Sequence, residues 1–129
     1  MDQQQPFFTD DDIVSTYTRE QAIEDGVLAD LNQWIPVNET IFPTACTSAV
    51  FDILQKAVES KPSWGNDYKG LIWDMVNMAR FQHRGNDTHW FFKMTIHGAG
   101  RQSVYTFKAV LDAGDDEKPV ITFLLPDED

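Results

Sequence analysis

The stretch HWFFKMTIHGAGRQSVYTFKAVLDAGDDEKPVITFLL, residues 89–125, decides the fold of this chain. It holds three runs of alternating apolar residues separated by two turn-forming clusters. In His89 to Ile96, Trp90, Phe92, Met94 and Ile96 share one face. In Ser103 to Leu111, Tyr105, Phe107, Ala109 and Leu111 share one face, and Thr106 and Lys108 lie on the other. In Pro119 to Leu125, Ile121, Phe123 and Leu125 alternate with Thr122. A period of two over aromatic and β-branched residues marks half-buried strands. Gly98-Ala99-Gly100 and the polar segment Ala113 to Lys118 supply the reversals. The stretch predicts a three-stranded antiparallel meander.

Upstream the period changes. Tyr68, Leu71, Ile72, Met75, Val76 and Ala79 recur at spacings of three and four, which predicts a helix from Asp67 or Tyr68 to His83. Trp73, Asp74, Asn77 and Arg80 fall on its outer face. Ala49, Val50, Ile53, Leu54, Ala57 and Val58 repeat the pattern. They predict a second helix, with Thr44 as N-cap, running to about Ser60 and ended by Lys61-Pro62. Further back, Thr18-Arg19-Glu20-Gln21 fits a capping box and Gly26 a helix stop. A short extended segment, Val27 to Leu31, follows, and Ile13 to Tyr17 reads as another. Asn32 to Pro43 is a connection whose Trp34, Ile35, Ile41 and Phe42 pack over the core. Helices segregated from strands argue for an α+β fold. Two or three helices pack on a mainly antiparallel sheet that ends in the meander. Residues 1–11 read as a flexible acidic tail, pinned by Phe7 and Phe8, and 12–129 as a single domain.

The chain has 129 residues, 42% of them hydrophobic, which suffices for one core. Its net charge is -11, and this charge disfavours nucleic acid and anionic membranes as direct partners. No apolar run reaches the roughly 18 residues that span a bilayer. With Asp2, Asp10, Asp11 and Asp12 and no base, the N-terminus is unlike a secretory signal. A soluble protein made in a cytoplasm is expected. Residues 112–129 hold Asp112, Asp115, Asp116, Glu117, Asp127, Glu128 and Asp129 against Lys118, whereas residues 13–111 are nearly neutral. One explanation is solubility. The other is a surface for a protein partner with a basic face, whose encounter would weaken with salt.

Candidate chemistry is sparse. His83, His89 and His97 match no zinc spacing, and no metal or cofactor is expected. Cys46 would fall in the first turn of the second helix, where a thiol can be activated, although a lone cysteine is more often a small buried residue. Gly98-Ala99-Gly100-Arg101 could hold an anion, but it lacks the later glycine and the helix of a dinucleotide loop. A hairpin turn accounts for it. Trp90, Phe91, Phe92, Lys93, Tyr105, Phe107 and Lys108 could mimic a strand-binding sheet; alternation sends many of these rings into the core instead.

The segment Tyr17-Thr18-Arg19-Glu20-Gln21-Ala22-Ile23-Glu24-Asp25-Gly26-Val27-Leu28-Ala29-Asp30 resembles a family of small uncharacterised proteins of phages, plasmids and integrating elements. Phe42-Pro43 is similar to its pattern, as are Gly70-Leu71-Ile72-Trp73-Asp74-Met75 with Met78, Arg80 and Phe81. The ending Pro119-Val120-Ile121-Thr122-Phe123-Leu124-Leu125-Pro126-Asp127-Glu128-Asp129 is similar too. The chain departs from the pattern around Asn32–Glu39 and at its Gln-rich start. The resemblance brings no established activity. It implies an accessory protein of a mobile element acting on host defence.

Arg19, Asp25 and Asp30 are unexplained by local folding and are the first candidates for a binding surface, followed by Trp73 and Arg80. The acids Asp115, Asp116, Glu117, Asp127, Glu128 and Asp129 complete the set. Alternatively, the polar residues pair with one another to fix helix and strand. The function expected is non-enzymatic: protein–protein binding that blocks a host nucleic-acid-processing or defence system. A second reading is a small-ligand binder or enzyme using Arg19, Asp25 and Arg101. A third is a homo-oligomer formed by edge pairing of the meander.

Overall fold

A computed structural model of the chain describes residues 17–60 and 65–128. The expectations for residues 1–11, the Ile13–Thr16 segment, the Lys61-Pro62 helix end and Asp129 fall outside them. The elements in order are α1 (Arg19–Glu24), β1 (Leu28–Asp30), β2 (Thr44–Thr47), α2 (Ser48–Glu59), α3 (Tyr68–Gln82), β3 (His89–Thr95), β4 (Val104–Ala113) and β5 (Pro119–Leu124). The fold is α+β. One open five-stranded sheet runs β1-β2-β5-β4-β3, and only the β2–β5 pair is parallel.

The meander forms as its alternation dictates. Phe92 and Met94 of β3 and Tyr105, Phe107 and Ala109 of β4 are buried on one face. There they meet Val50, Leu54 and Ala57 of α2 and Leu71, Ile72, Met75, Val76 and Ala79 of α3. Trp90 locks β3 to α3, its indole N–H donating to the Ala79 carbonyl at 2.9 Å. The expected faces of both long helices hold. Asp67 caps α3 through a 2.7 Å bond from the Gly70 N–H.

One register row crosses the whole sheet: Ala29, Cys46, Phe123, Ala109 and Trp90. Small residues flank Phe123 on both neighbouring strands, so its ring reaches Phe92 at 5.5 Å. β5 is central, and Val120 and Leu124, on the face opposite Phe123, are buried as well.

The expected N-cap at Thr44 is corrected. Thr44–Thr47 is a strand between β1 and β5, and α2 begins only at Ser48. The cap is Thr47, whose hydroxyl accepts from the Val50 N–H at 3.4 Å. Thr44 is buried instead, its hydroxyl donating to the Phe42 carbonyl at 2.7 Å. Pairing on both edges satisfies the backbone of this segment better than a further helical turn could.

The outer edge of β3 is guarded. The Gln82 side chain accepts from the Lys93 N–H at 2.8 Å and donates to the Lys93 carbonyl at 2.7 Å. Both edge groups of that residue are thereby occupied, which blunts strand addition at mid-strand. The structure also yields a test of the corrected cap. Replacing Thr47 by Ala removes the α2 cap and a bond to Glu128. It should lower stability by about 1–2 kcal/mol in denaturant titration followed by helix ellipticity.

Candidate functional site

Six residues make α1, too few to hold a helix in isolation. The capping box supplies part of its stability. The Gln21 N–H donates to the Thr18 hydroxyl at 3.0 Å, and the Thr18 N–H donates to Gln21 Oε1 at 2.9 Å. The remaining anchor is tertiary. The Asp115 carboxylate, in the β4–β5 turn, accepts from the Arg19 N–H at 2.9 Å and the Glu20 N–H at 3.1 Å. These N–H groups belong to the first helical turn and have no partner within the helix.

Arg19 turns inward. Its guanidinium donates to Thr122 Oγ1 at 2.7 Å and to the Ile121 carbonyl at 2.8 Å. Desolvation lowers its pKa, and Asp115, Asp30 and Asp112 oppose that shift; an arginine stays charged throughout. Thus Arg19 and Asp115 fasten α1 to β5 and to the turn. Pairing of polar residues to fix helix and strand describes these two well.

The same contacts bring distant acids together. Glu20 and Glu24 of α1, Asp30 of β1 and Asp115 line one open cavity of about 620 Å³ with Arg19 and Thr44. Asp112, near the end of β4, is close enough to act on the Arg19 charge, and Asp116 and Glu117 follow Asp115 in the turn. Asp116 accepts from the Lys118 N–H at 3.0 Å, and Glu117 occupies the left-handed region at φ 66°. Asp25 is the C-cap of α1 and accepts from the Tyr17 hydroxyl at 3.1 Å. Asp30 accepts from the Asn32 N–H at 2.9 Å.

The other expected site residues lie elsewhere. Trp73 and Arg80 are exposed on α3 and do not line the acidic cavity. Trp73 instead lines a cavity with Trp34, and Arg80 a small one beside Phe42. Arg101 sits in the β3–β4 connection, which Ile96 and Ser103 close with a 2.8 Å bond. Between Val104, at its base, and Val110, level with Thr122, lie six steps of β4, roughly 20 Å. Arg19 and Arg101 do not form one site. Glu128 is a clasp: its carboxylate accepts from Thr47 Oγ1 at 2.7 Å and the Leu125 N–H at 2.8 Å, and its carbonyl accepts from Lys108 Nζ. Asp127 is exposed.

Cys46 requires a correction. It is in β2, not at a helix N-terminus, and it is fully buried. Burial, aided by the Glu128 charge, pushes its thiol from an ordinary value of 9.0 up to about 12. It is a packing residue in the central row, not an activated nucleophile. Among the described residues no three of His, Cys, Asp and Glu converge as a metal site. Trp34, Asp67 and Lys69, which line the cavity with Trp73, do not stand out in the sequence as site residues. Only the aromatic content of the Asn32–Pro43 connection signalled that it packs.

Two outcomes follow from this geometry. Arg19→Met should cost about 1–3 kcal/mol in denaturant titration, with Arg19→Lys recovering less than half, because lysine lacks the fork that reaches both acceptors. Cys46 should resist thiol reagents near pH 8 until the protein is unfolded. Its raised pKa also has a sign. From about pH 9 the unfolded chain loses the thiol proton while the native state keeps it up to about pH 12. Stability should therefore decline with rising pH in that window, and more gently in Cys46→Ala.

No protein-family model matches the chain, and no curated protein or solved structure matches it either.

Proposed function

We propose that this chain is a non-enzymatic binding protein that acts through its acidic face on a basic partner protein. The observation that carries this reading is the double bond donation to Asp115. It places the acids of α1 beside those of the β4–β5 turn. Glu20, Glu24, Asp25, Asp30, Asp112, Asp115, Asp116 and Glu117 outnumber the bases of the same segments, Arg19 and Lys118, and Asp112 also borders a cavity with Lys108. Arg19 spends its donors on Thr122 and Ile121, leaving its charge partly sequestered. Glu20, Glu24, Asp112, Asp116 and Glu117 are exposed. Exposed like charges on a fixed scaffold speed the approach of an opposite surface and lose that effect with salt.

The likeness of residues 17–30 and 119–129 to proteins of mobile elements supports a cellular setting. The chain is an accessory protein of such an element, and its partner is a host protein of nucleic-acid processing or defence in the bacterial cytoplasm. A protein that binds phosphates carries the basic surface that an acidic face can occupy. Nucleic acid itself is disfavoured by the net charge of -11. Among the described residues no helix is long and apolar enough to cross a membrane.

The test is a comparison of two neutralised variants of equal net charge. Glu20→Gln combined with Asp116→Asn alters the proposed face while sparing Asp115. Asp52→Asn combined with Asp74→Asn alters exposed acids of α2 and α3. Host proteins captured by the wild type at about 50 mM salt should be released by about 500 mM. The first variant should bind the captured partner roughly tenfold more weakly and with a shallower salt dependence. The second should bind as the wild type does. Equal loss in both would reduce the effect to net charge and overturn the assignment of the face.

A further inference from the structure

On the other side of the Asn32–Pro43 connection lies a cavity of about 420 Å³, which opens against the first turn of α3. Buried Ile35 and Ile41 contribute to it, with half-buried Trp34 and exposed Trp73. Trp34 is held in place from behind. Its ring lies 4.9 Å from Tyr68 and 5.9 Å from Phe51, and those two rings stack at 5.4 Å with planes 4° apart. This indole is a pre-organised surface, so a ligand ring meeting it need not order the platform first.

The polar groups at this cavity are of both kinds. Asn38 Oδ1 accepts from Thr40 N at 2.8 Å, Ile41 N at 2.9 Å and Thr40 Oγ1 at 3.0 Å. Its NH₂ group is thereby left to donate, and no acceptor among the described residues meets it. Lys69 is exposed, and its ammonium has no acceptor among the described residues. Asp67 uses Oδ1 on the Gly70 N–H at 2.7 Å and keeps a second oxygen for accepting.

We propose that this cavity binds a planar heteroaromatic ligand of nucleoside size, with the base against Trp34 and Trp73. Indole faces accept any base, since every base has a π-face. A heteroaromatic edge carries donors and acceptors together, as Asn38, Lys69 and Asp67 do. A hydrocarbon would use the indoles but none of these polar groups. A polyphosphate would meet Asp67 and a chain of net charge -11. The volume falls in the range of small-ligand sites, about 300–1,000 Å³. This site shares no residue with the acidic face, and its test does not depend on that reading.

Calorimetric titration of the full chain with adenosine and with cytidine tests the proposal. At least one should bind saturably with a dissociation constant below about 1 mM. Trp73→Ala should weaken it about tenfold, and Trp73→Phe, which keeps an aromatic face, by much less. Trp73 is exposed, so both variants should fold, and near-ultraviolet circular dichroism checks that they do. Lys69→Gln should weaken binding without abolishing it. Absence of saturable binding by both nucleosides would overturn the proposal. So would equal affinity in Trp73→Ala, tighter binding of decanoate than of either nucleoside, or tighter binding of ATP than of adenosine.

Discussion

The parallel pairing of β2 with β5 is the constraint on which the rest of the structure depends. Cys46 lies opposite Phe123, and Phe123 lies opposite Ala109. A large ring between two small neighbours keeps the central row of the sheet close-packed. Parallel neighbours cannot be joined by a tight turn. The chain therefore travels through α2, α3, β3 and β4 before β5 returns beside β2. That excursion lays both long helices over the inner face, where Leu54, Ile72 and Met75 exclude water from Phe92, Phe107 and Phe123.

Both candidate surfaces are consequences of this arrangement. With β5 in the centre, its Thr122 and Ile121 receive the Arg19 guanidinium, and the turn before it receives the N-terminus of α1. The acidic face exists because those two anchors join positions 96 and 103 residues apart. With β1 and β2 paired, the Asn32–Pro43 connection is folded back along α3. Asn32 ties it down, accepting from the Thr44 N–H at 2.7 Å and donating to the Ile35 carbonyl at 3.0 Å. One flank of the connection borders the acidic cavity, and the other borders the cavity of Trp34 and Trp73.

Local signals are legible where one element reports on itself. The alternation in residues 89–125 names its strands, and Thr18 with Gln21 names the start of α1. The signals fail at Thr44-Ala45-Cys46-Thr47. Four residues are too short for a period, Ala45 favours a helix over a strand, and Thr44 is as good a cap by composition as Thr47. Only partners on either side make the segment a strand. The site is legible to the same degree. Arg19, Asp25 and Asp30 stand out in the sequence as polar residues, but Asp25 is the C-cap of α1 and Asp30 accepts from the nearby Asn32 N–H, so both have local roles. The role of Arg19 lies in bonds to residues 115, 121 and 122, and no local window contains those positions. Trp34 and Lys69 stay hidden because nothing in their spacing says that the connection and α3 adjoin.

By itself the sequence determined the fold class, the long helices with their buried faces, the meander and the location of the acids along the chain. Periodicity and capping act within a few residues, so they can be read without a partner. Tertiary structure alone decided that β2 is a strand, that Cys46 is packing rather than chemistry, and that the acids of α1 and of the β4–β5 turn share one face. It also decided that Trp34 and Trp73 meet at one cavity. Each of these depends on contacts between segments distant in the chain. Such contacts form only when the core around Phe123 closes.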